Sequence, residues 1–213
     1  MSTTFEIIPV ETKSLTFRQV LELAKSRIKS FFETLNIATN IQLKVNLHEN
    51  NEKYVKEIDL DTEFFWSEDE YVWFTINGIP GGTDAYCEQI KDDFDEADPW
   101  WRFEEMISNN KTIDNLELKI DKAKELNVYW TFRRSAGQRA SINVAYGIIS
   151  AVIAELTKGF IWTNDGAWNF TKFPAEPNEF YKWYFKPDFE EHEDSKEWAI
   201  RCLDGIEEEL KSH

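Results

Sequence analysis

Residues 128–158 read VYWTFRRSAGQRASINVAYGIISAVIAELTK, and the change of period inside this run decides the fold. Val128, Trp130 and Phe132 alternate with Tyr129, Thr131 and Arg133, the two-residue repeat of a strand. From Gly137 to Lys158 the spacing becomes three and four. Ile142, Tyr146, Ile149, Ile153 and Leu156 form one stripe, with Val144, Ile148 and Val152 on its flank. A helix apolar around most of its girth has to be enclosed, so this one is expected at the centre of the protein. Gly159 predicts its end.

Outward from this run, Phe160–Trp162 predicts a short strand, and Asn164-Asp165-Gly166 the turn after it. Pro174 and Pro177 introduce a short helix over Glu179–Phe185. Trp198, Cys202 and Ile206 mark a terminal helix from about Ser195 to Leu210. In the other direction, Leu116, Leu118 and Ile120 alternate with Glu117 and Lys119, which predicts a strand in a hairpin with residues 128–132. A polar helix is expected from Asp84 to about Phe94, and a second over Trp100–Ser108. Tyr71–Ile76 (YVWFTI) is rich in β-formers on both faces and predicts an interior strand, ended by the turn residues Asn77–Gly82. Ile41, Leu43, Val45 and Leu47 alternate with polar residues, giving a strand with one wet face, and a weaker strand is expected near Tyr54–Ile58. Phe17, Leu21, Ala24, Ile28 and Leu35 predict an amphipathic helix over 14–36, with Thr16 and Gln19 as a capping box.

Helices lie at both ends and between one-sided strands, and no strand–helix alternation calls for a parallel sheet. The expectation is an α+β fold: an antiparallel β-sheet with helices mostly packed on one face, a two-layer sandwich. Neither a repeat nor a low-complexity linker interrupts the chain, so residues 1–213 are read as a single domain. At 213 residues it is long enough to bury roughly 70 % of its unfolded surface. Cys87 and Cys202 stand far apart without paired spacing, which suits reduced thiols in a cytoplasmic protein, with one long-range disulfide as the alternative. No signal-peptide pattern opens the sequence, and no apolar run is long enough to span a membrane.

The formal net charge is −16, and it is unevenly placed. Residues 61–110 hold 14 acids and 2 bases, whereas residues 111–160 are net positive. Such a field repels nucleic acid and anionic membranes and favours a basic protein partner. Large aromatics share the acidic segments, as in 64–74 (FFWSEDEYVWF), 92–105 (DDFDEADPWWRFEE) and 183–198 (WYFKPDFEEHEDSKEW). Carboxylates attract a basic partner at range and aromatics dominate interface energies, so together they suit partner capture. The plainer alternative is an aromatic core under a solvated acidic skin. Trp73, Trp130 and Trp162 lie in predicted strands and are expected in the core. Asp92, Asp93, Asp95, Glu96 and Asp98, followed by Trp100 and Trp101, form the candidate partner-binding segment, because adjacent tryptophans point different ways and one can be presented.

No phosphate-binding glycine loop, dinucleotide fingerprint, nucleophile elbow or zinc-protease helix is present. With three histidines and two isolated cysteines, no metal and no cofactor is expected. Glycosidase chemistry needs a specific carboxylate pair, and 40 acids single out none, so no catalytic residue is assigned and the protein is read as a non-enzyme. Arg133, Arg134 and Arg139 are the sharpest local cluster. They stand where a strand hands over to the central helix, and form a possible anion-binding site for a small-ligand or enzymatic domain. The competing reading pairs them internally with carboxylates and leaves Ser135 as a helix cap.

The size, the acidic–aromatic stretch 92–105 and the block from Arg133 through Trp168 to Phe185, with its GFIWTNDGAW and FPAEPNEFYKWYF segments, resemble the small acidic cytosolic immunity proteins of bacterial toxin systems. That resemblance implies a protein that binds and neutralises a basic cognate toxin. It carries no catalytic residues and no particular fold, and the oligomeric state stays open.

Overall fold

The strand nearest the N-terminus is an interior member of the sheet. In the computed structural model, which describes residues 2–11, 15–37, 41–49, 55–90, 113–163, 165, 167–168 and 170–211, seven strands form one antiparallel sheet. They are β1 (Thr3–Ile8), β2 (Leu43–Glu49), β3 (Val55–Glu57), β4 (Glu70–Ile76), β5 (Thr83–Glu88), β6 (Tyr129–Arg134) and β7 (Phe160–Trp162), in the spatial order β3-β2-β4-β5-β6-β1-β7. The five α-helices among the described residues are α1 (Phe17–Thr34), α2 (Leu116–Leu126), α3 (Ala140–Leu156), α4 (Pro177–Trp183) and α5 (Glu193–Lys211). This is the expected α+β arrangement, an antiparallel sheet packed against helices.

Two elements differ from their sequence-based expectations. Residues 83–88 are not the start of a polar helix but strand β5, with Asp84 opposite Arg133 and Glu88 opposite Tyr129. Its acids look solvent-bound in the sequence, yet Asp84 is buried and partnered across the sheet. Residues 116–120 are not a strand of a hairpin but the first turns of α2. Leu118, which completes the apparent alternation, is 56 % exposed, and the helix turns Leu116, Ile120 and Ala123 inward instead. The strand β1 has no counterpart in the sequence reading. Glu6 stands in its middle and hides the apolar pattern of Phe5, Ile7 and Ile8.

Alternation sorts the sheet's side chains. Phe5 faces the helices: its ring stacks on Tyr146 of α3 at 4.8 Å and meets Phe180 and Tyr184 edge-on. Its sheet neighbours Phe132 and Trp130 share that face, while Thr4, Glu6, Thr131 and Arg133 take the other. Helix α3 is buried from Ala140 to Ala154, as its girth of apolar residues requires, with the sheet on one side and α1, α4 and α5 against it. Gly147 admits the Tyr184 phenol, since a Cβ there would lie 2.3 Å from Tyr184 Cζ, and the Tyr184 hydroxyl donates to the Asn143 carbonyl at 3.0 Å. The capping box of α1 is present, with Thr16 N donating to Gln19 Oε1 at 2.9 Å and Gln19 N to Thr16 Oγ1 at 3.3 Å. Trp130 and Trp162 are core residues, whereas Trp73 is half-buried. Cys87 and Cys202 are both buried free thiols, so no disulfide joins them.

Candidate functional site

The three arginines at the strand–helix junction do not converge. Arg133 and Arg134 are neighbours on β6, and a strand sends neighbours to opposite faces. Arg133 leaves the helical layer and meets Asp84: its Nε donates to Asp84 Oδ2 at 2.8 Å, and its Nη2 makes a second, close bond to the same oxygen. The Tyr86 hydroxyl also donates to Oδ2, at 2.9 Å, and the guanidinium carbon sits 5.8 Å from the Tyr86 ring centroid. This bond to Asp84 raises the Arg133 pKa above its ordinary value.

Arg134 enters the helical layer, where it is only 9 % exposed. Its Nε and Nη2 donate to Thr3 Oγ1 at 3.3 and 3.1 Å, and its Nη1 donates to Asn143 Oδ1 at 3.0 Å. Tyr146 and Trp198 flank the guanidinium, with centroids 5.6 and 5.1 Å from its carbon. Arg139 precedes α3 as an exposed residue, and among the described residues it has no ion pair. The amides that open α3 are not free either. Glu209 of α5 accepts from Ala140 N at 2.8 Å, Ser141 N at 3.0 Å and Ser141 Oγ at 2.8 Å, so this carboxylate, and not Ser135, caps the helix.

Internal pairing therefore holds for Arg133, and the two variants should behave differently. Arg133→Ala strands the buried Asp84 carboxylate and is expected to cost about 2 to 3 kcal/mol, while Arg139→Ala stays within about 0.5 kcal/mol of wild type. Urea denaturation of both proteins checks this, and equal losses would contradict it.

The acidic–aromatic segment 64–74 divides by face. Phe64 and Trp66 turn inward, Phe64 lying 4.8 Å from Phe17 and 5.7 Å from Trp130, and Trp66 lying 5.1 Å from Phe64. Phe65 between them points out and is 55 % exposed. The backbone is fixed there by Phe64 N donating to Leu15 O at 2.7 Å and by the bridge between Thr16 and Glu63. Beside Phe65 opens a cleft of about 280 Å³ lined by Leu15, Glu63, Leu126, Val128 and Trp130. Asp61 is taken by Arg18 at 2.6 Å, but Glu63, Glu68 and Asp69 are exposed and without a basic partner among the described residues. Residues 61–90 contain seven acids and no lysine or arginine. Asp92, Asp93, Asp95, Glu96, Asp98, Trp100 and Trp101 lie outside the described residues.

A third polar group sits on the sheet face away from the helices, and nothing in the sequence pattern signals it. Glu6 pairs across the sheet with Thr131 on one side and Trp162 on the other. It is fully buried; its Oε1 accepts from the Thr4 hydroxyl at 3.2 Å and its Oε2 has no partner among the described residues. Burial, reinforced by the charge of Asp165, pushes its pKa up to about 8. The register that brings Glu6 beside Thr131 depends on long-range pairing, which is why one sequence could not show it.

No protein-family model, no curated protein and no solved structure matches this chain. Among the described residues, no group of three or more histidines, cysteines and acids is placed to hold a metal ion, and no helix is long and apolar enough to cross a membrane.

Proposed function

We propose that this is a non-enzymatic protein-binding module, most concretely a cytoplasmic immunity protein that neutralises a basic toxin domain. The observation that carries the proposal is Phe65. It is an exposed aromatic on the rim of a cleft of mixed polar and apolar lining, in a stretch of chain where Glu63, Glu68 and Asp69 have no basic partner among the described residues. An apolar anchor next to a cleft can take a partner side chain, and the long stem of a lysine or arginine suits a cleft that has Glu63 in its lining. The uncompensated acids raise the encounter rate with a basic surface. Asp92, Asp93, Asp95, Glu96 and Asp98, with Trp100 and Trp101, continue this acidic and aromatic character along the chain and belong to the proposed binding segment.

Capture of the partner from the native cell with the tagged protein, followed by a growth test, examines the proposal directly. The captured protein is expected to be basic, to arrest growth when expressed alone, and to lose that effect when this chain is co-expressed. With partner in hand, Glu63→Lys with Glu68→Lys should slow association by roughly tenfold or more at low salt. Phe65→Ser should act on dissociation instead. Failure of rescue, or an association rate unchanged across a wide salt range, overturns the proposal.

A further inference from the structure

Arg134 is a buried cation with no carboxylate partner among the described residues. Arg27 pairs with Glu155, Lys119 with Glu176 and Arg133 with Asp84, as expected in a chain with 40 acids. Arg134 is more deeply buried than any of these, yet among the described residues its partners are hydroxyls and an amide oxygen, with no carboxylate. A desolvated guanidinium held by neutral groups alone is costly, and the cost falls when an anion completes it. The nearest candidates inside the protein are committed elsewhere: Glu209 caps α3, and Asp165 accepts from Thr4, Thr163 and the Ala167 amide.

The guanidinium also lines a cavity. Thr3, Arg134, Gly137, Trp168, Ser195 and Trp198 line a solvent-open pocket of about 300 Å³, a volume suited to a small metabolite. A guanidinium carries five N–H donors. The Thr3 and Asn143 bonds engage Nε, Nη1 and Nη2 once each, which leaves a further N–H on each terminal nitrogen for a ligand oxygen. The aromatic side of the cavity is rigid. Trp168 stacks on Phe185 at 4.4 Å and lies 5.8 Å from Trp198, and its backbone is held in the left-handed region at φ 53°. Its buried indole N–H has no acceptor among the described residues. At Gly137 the wall is open, since a Cβ added there would meet nothing within 4 Å.

We infer that this cavity binds a small monocarboxylate with a flat or branched apolar body, the carboxylate on Arg134 and the body against Trp168 and Trp198. The single buried positive charge and the exposed acids Glu193 and Asp194 in the first turn of α5 favour a monoanion over a phosphate, which brings more negative charge. The site lies on the helical side of the sheet and involves neither Phe65 nor its acids, so it stands or falls separately from the proposed partner surface.

Titration calorimetry and tryptophan fluorescence with benzoate, indole-3-acetate and isovalerate test the inference, with benzamide as the neutral counterpart of benzoate and inorganic phosphate as the competing anion. At least one of the three carboxylates should bind saturably and raise Tm, whereas benzamide should not. Arg134→Met should weaken that binding about tenfold or more, the loss of a charge-assisted pair. Because Arg134→Met could disturb packing, Ala136→Glu provides a second test at an exposed position on the cavity wall. Its new carboxylate should compete for Arg134 and abolish the ligand effect in a normally folded protein. The inference is overturned if none of the three carboxylates binds, if benzamide binds as well as benzoate, if phosphate alone binds, or if Ala136→Glu leaves binding unchanged.

Discussion

Replacing Glu6 with glutamine is expected to make the protein more stable than wild type at alkaline pH and to flatten its stability between about pH 4.5 and 8. Glu6 is 1 % exposed on the second sheet face, where Thr4, Thr131, Glu88 and Asp165 are the polar and charged groups around it. Among the described residues, Thr4 is the side chain that donates to its carboxyl. Burial first, and the charge of Asp165 second, hold the proton on Glu6 up to about pH 8, against an ordinary value of 4.5. Between these two values the unfolded chain has released a proton that the folded chain keeps, so stability falls as pH rises through the window. At about 1.36 kcal/mol per pKa unit, the loss at pH 8 and above is on the order of 4 kcal/mol. Glutamine keeps the shape and stays neutral at every pH, so the variant lacks this loss. Urea denaturation of both proteins at pH 5 and at pH 8.5 measures it, and parallel changes in the two would refute a protonated Glu6.

Phe5→Ala is expected to cost about 3 to 5 kcal/mol and to lower Tm by roughly 10 °C. The ring joins the two layers: it lies in β1, stacks on Tyr146 of α3, and has Phe173, Phe180 and Tyr184 within 6.0 Å. Removing it leaves a cavity lined by rigid rings on both sides, which collapse poorly because each is packed on others, as Phe180 is on Tyr184 at 4.4 Å. Phe5→Leu should recover a substantial part of the loss. A thermal melt of the three proteins checks both statements, and an alanine variant within about 1 kcal/mol of wild type would contradict the central place given to this ring.

Where side-chain pattern and environment agreed, the fold was legible. The buried helix α3, the capping box of α1 and the strands β2, β4 and β6 all show apolar periodicity matched to what surrounds them. It was illegible where a charge is buried or an apolar residue exposed. Glu6 disguised β1 and Asp84 disguised β5, because each acid owes its place to partners distant in sequence. Leu118 disguised α2 by adding an exposed leucine at strand spacing. The same holds for the candidate sites. The arginine cluster was visible, and strand alternation then splits it, but the cap from Glu209 comes from 68 residues beyond Ser141 and has no local signature. The exposure of Phe65 between two buried aromatics comes from a local bend at Phe64, where Phe65 N donates to Glu63 O at 2.8 Å, and the carboxylate-free surroundings of Arg134 become visible only once α3 and α5 are in place.

The position of β1 also sets the order in which this protein can be assembled. Its two hydrogen-bonded neighbours are β6, ending at Arg134, and β7, ending at Trp162. The consecutive strands β2 to β5 pair among themselves, in the order β3-β2-β4-β5, and can do so while the chain is still being made. Residues 3–8 must wait, unpaired, until β6 has been made, and only after Trp162 do they gain their second neighbour and become the wedge that joins β7 to the rest. A long wait with an apolar strand exposed invites capture by chaperones and penalises slow translation. Fusions or truncations at the N-terminus would therefore act on folding yield well before they act on any binding surface.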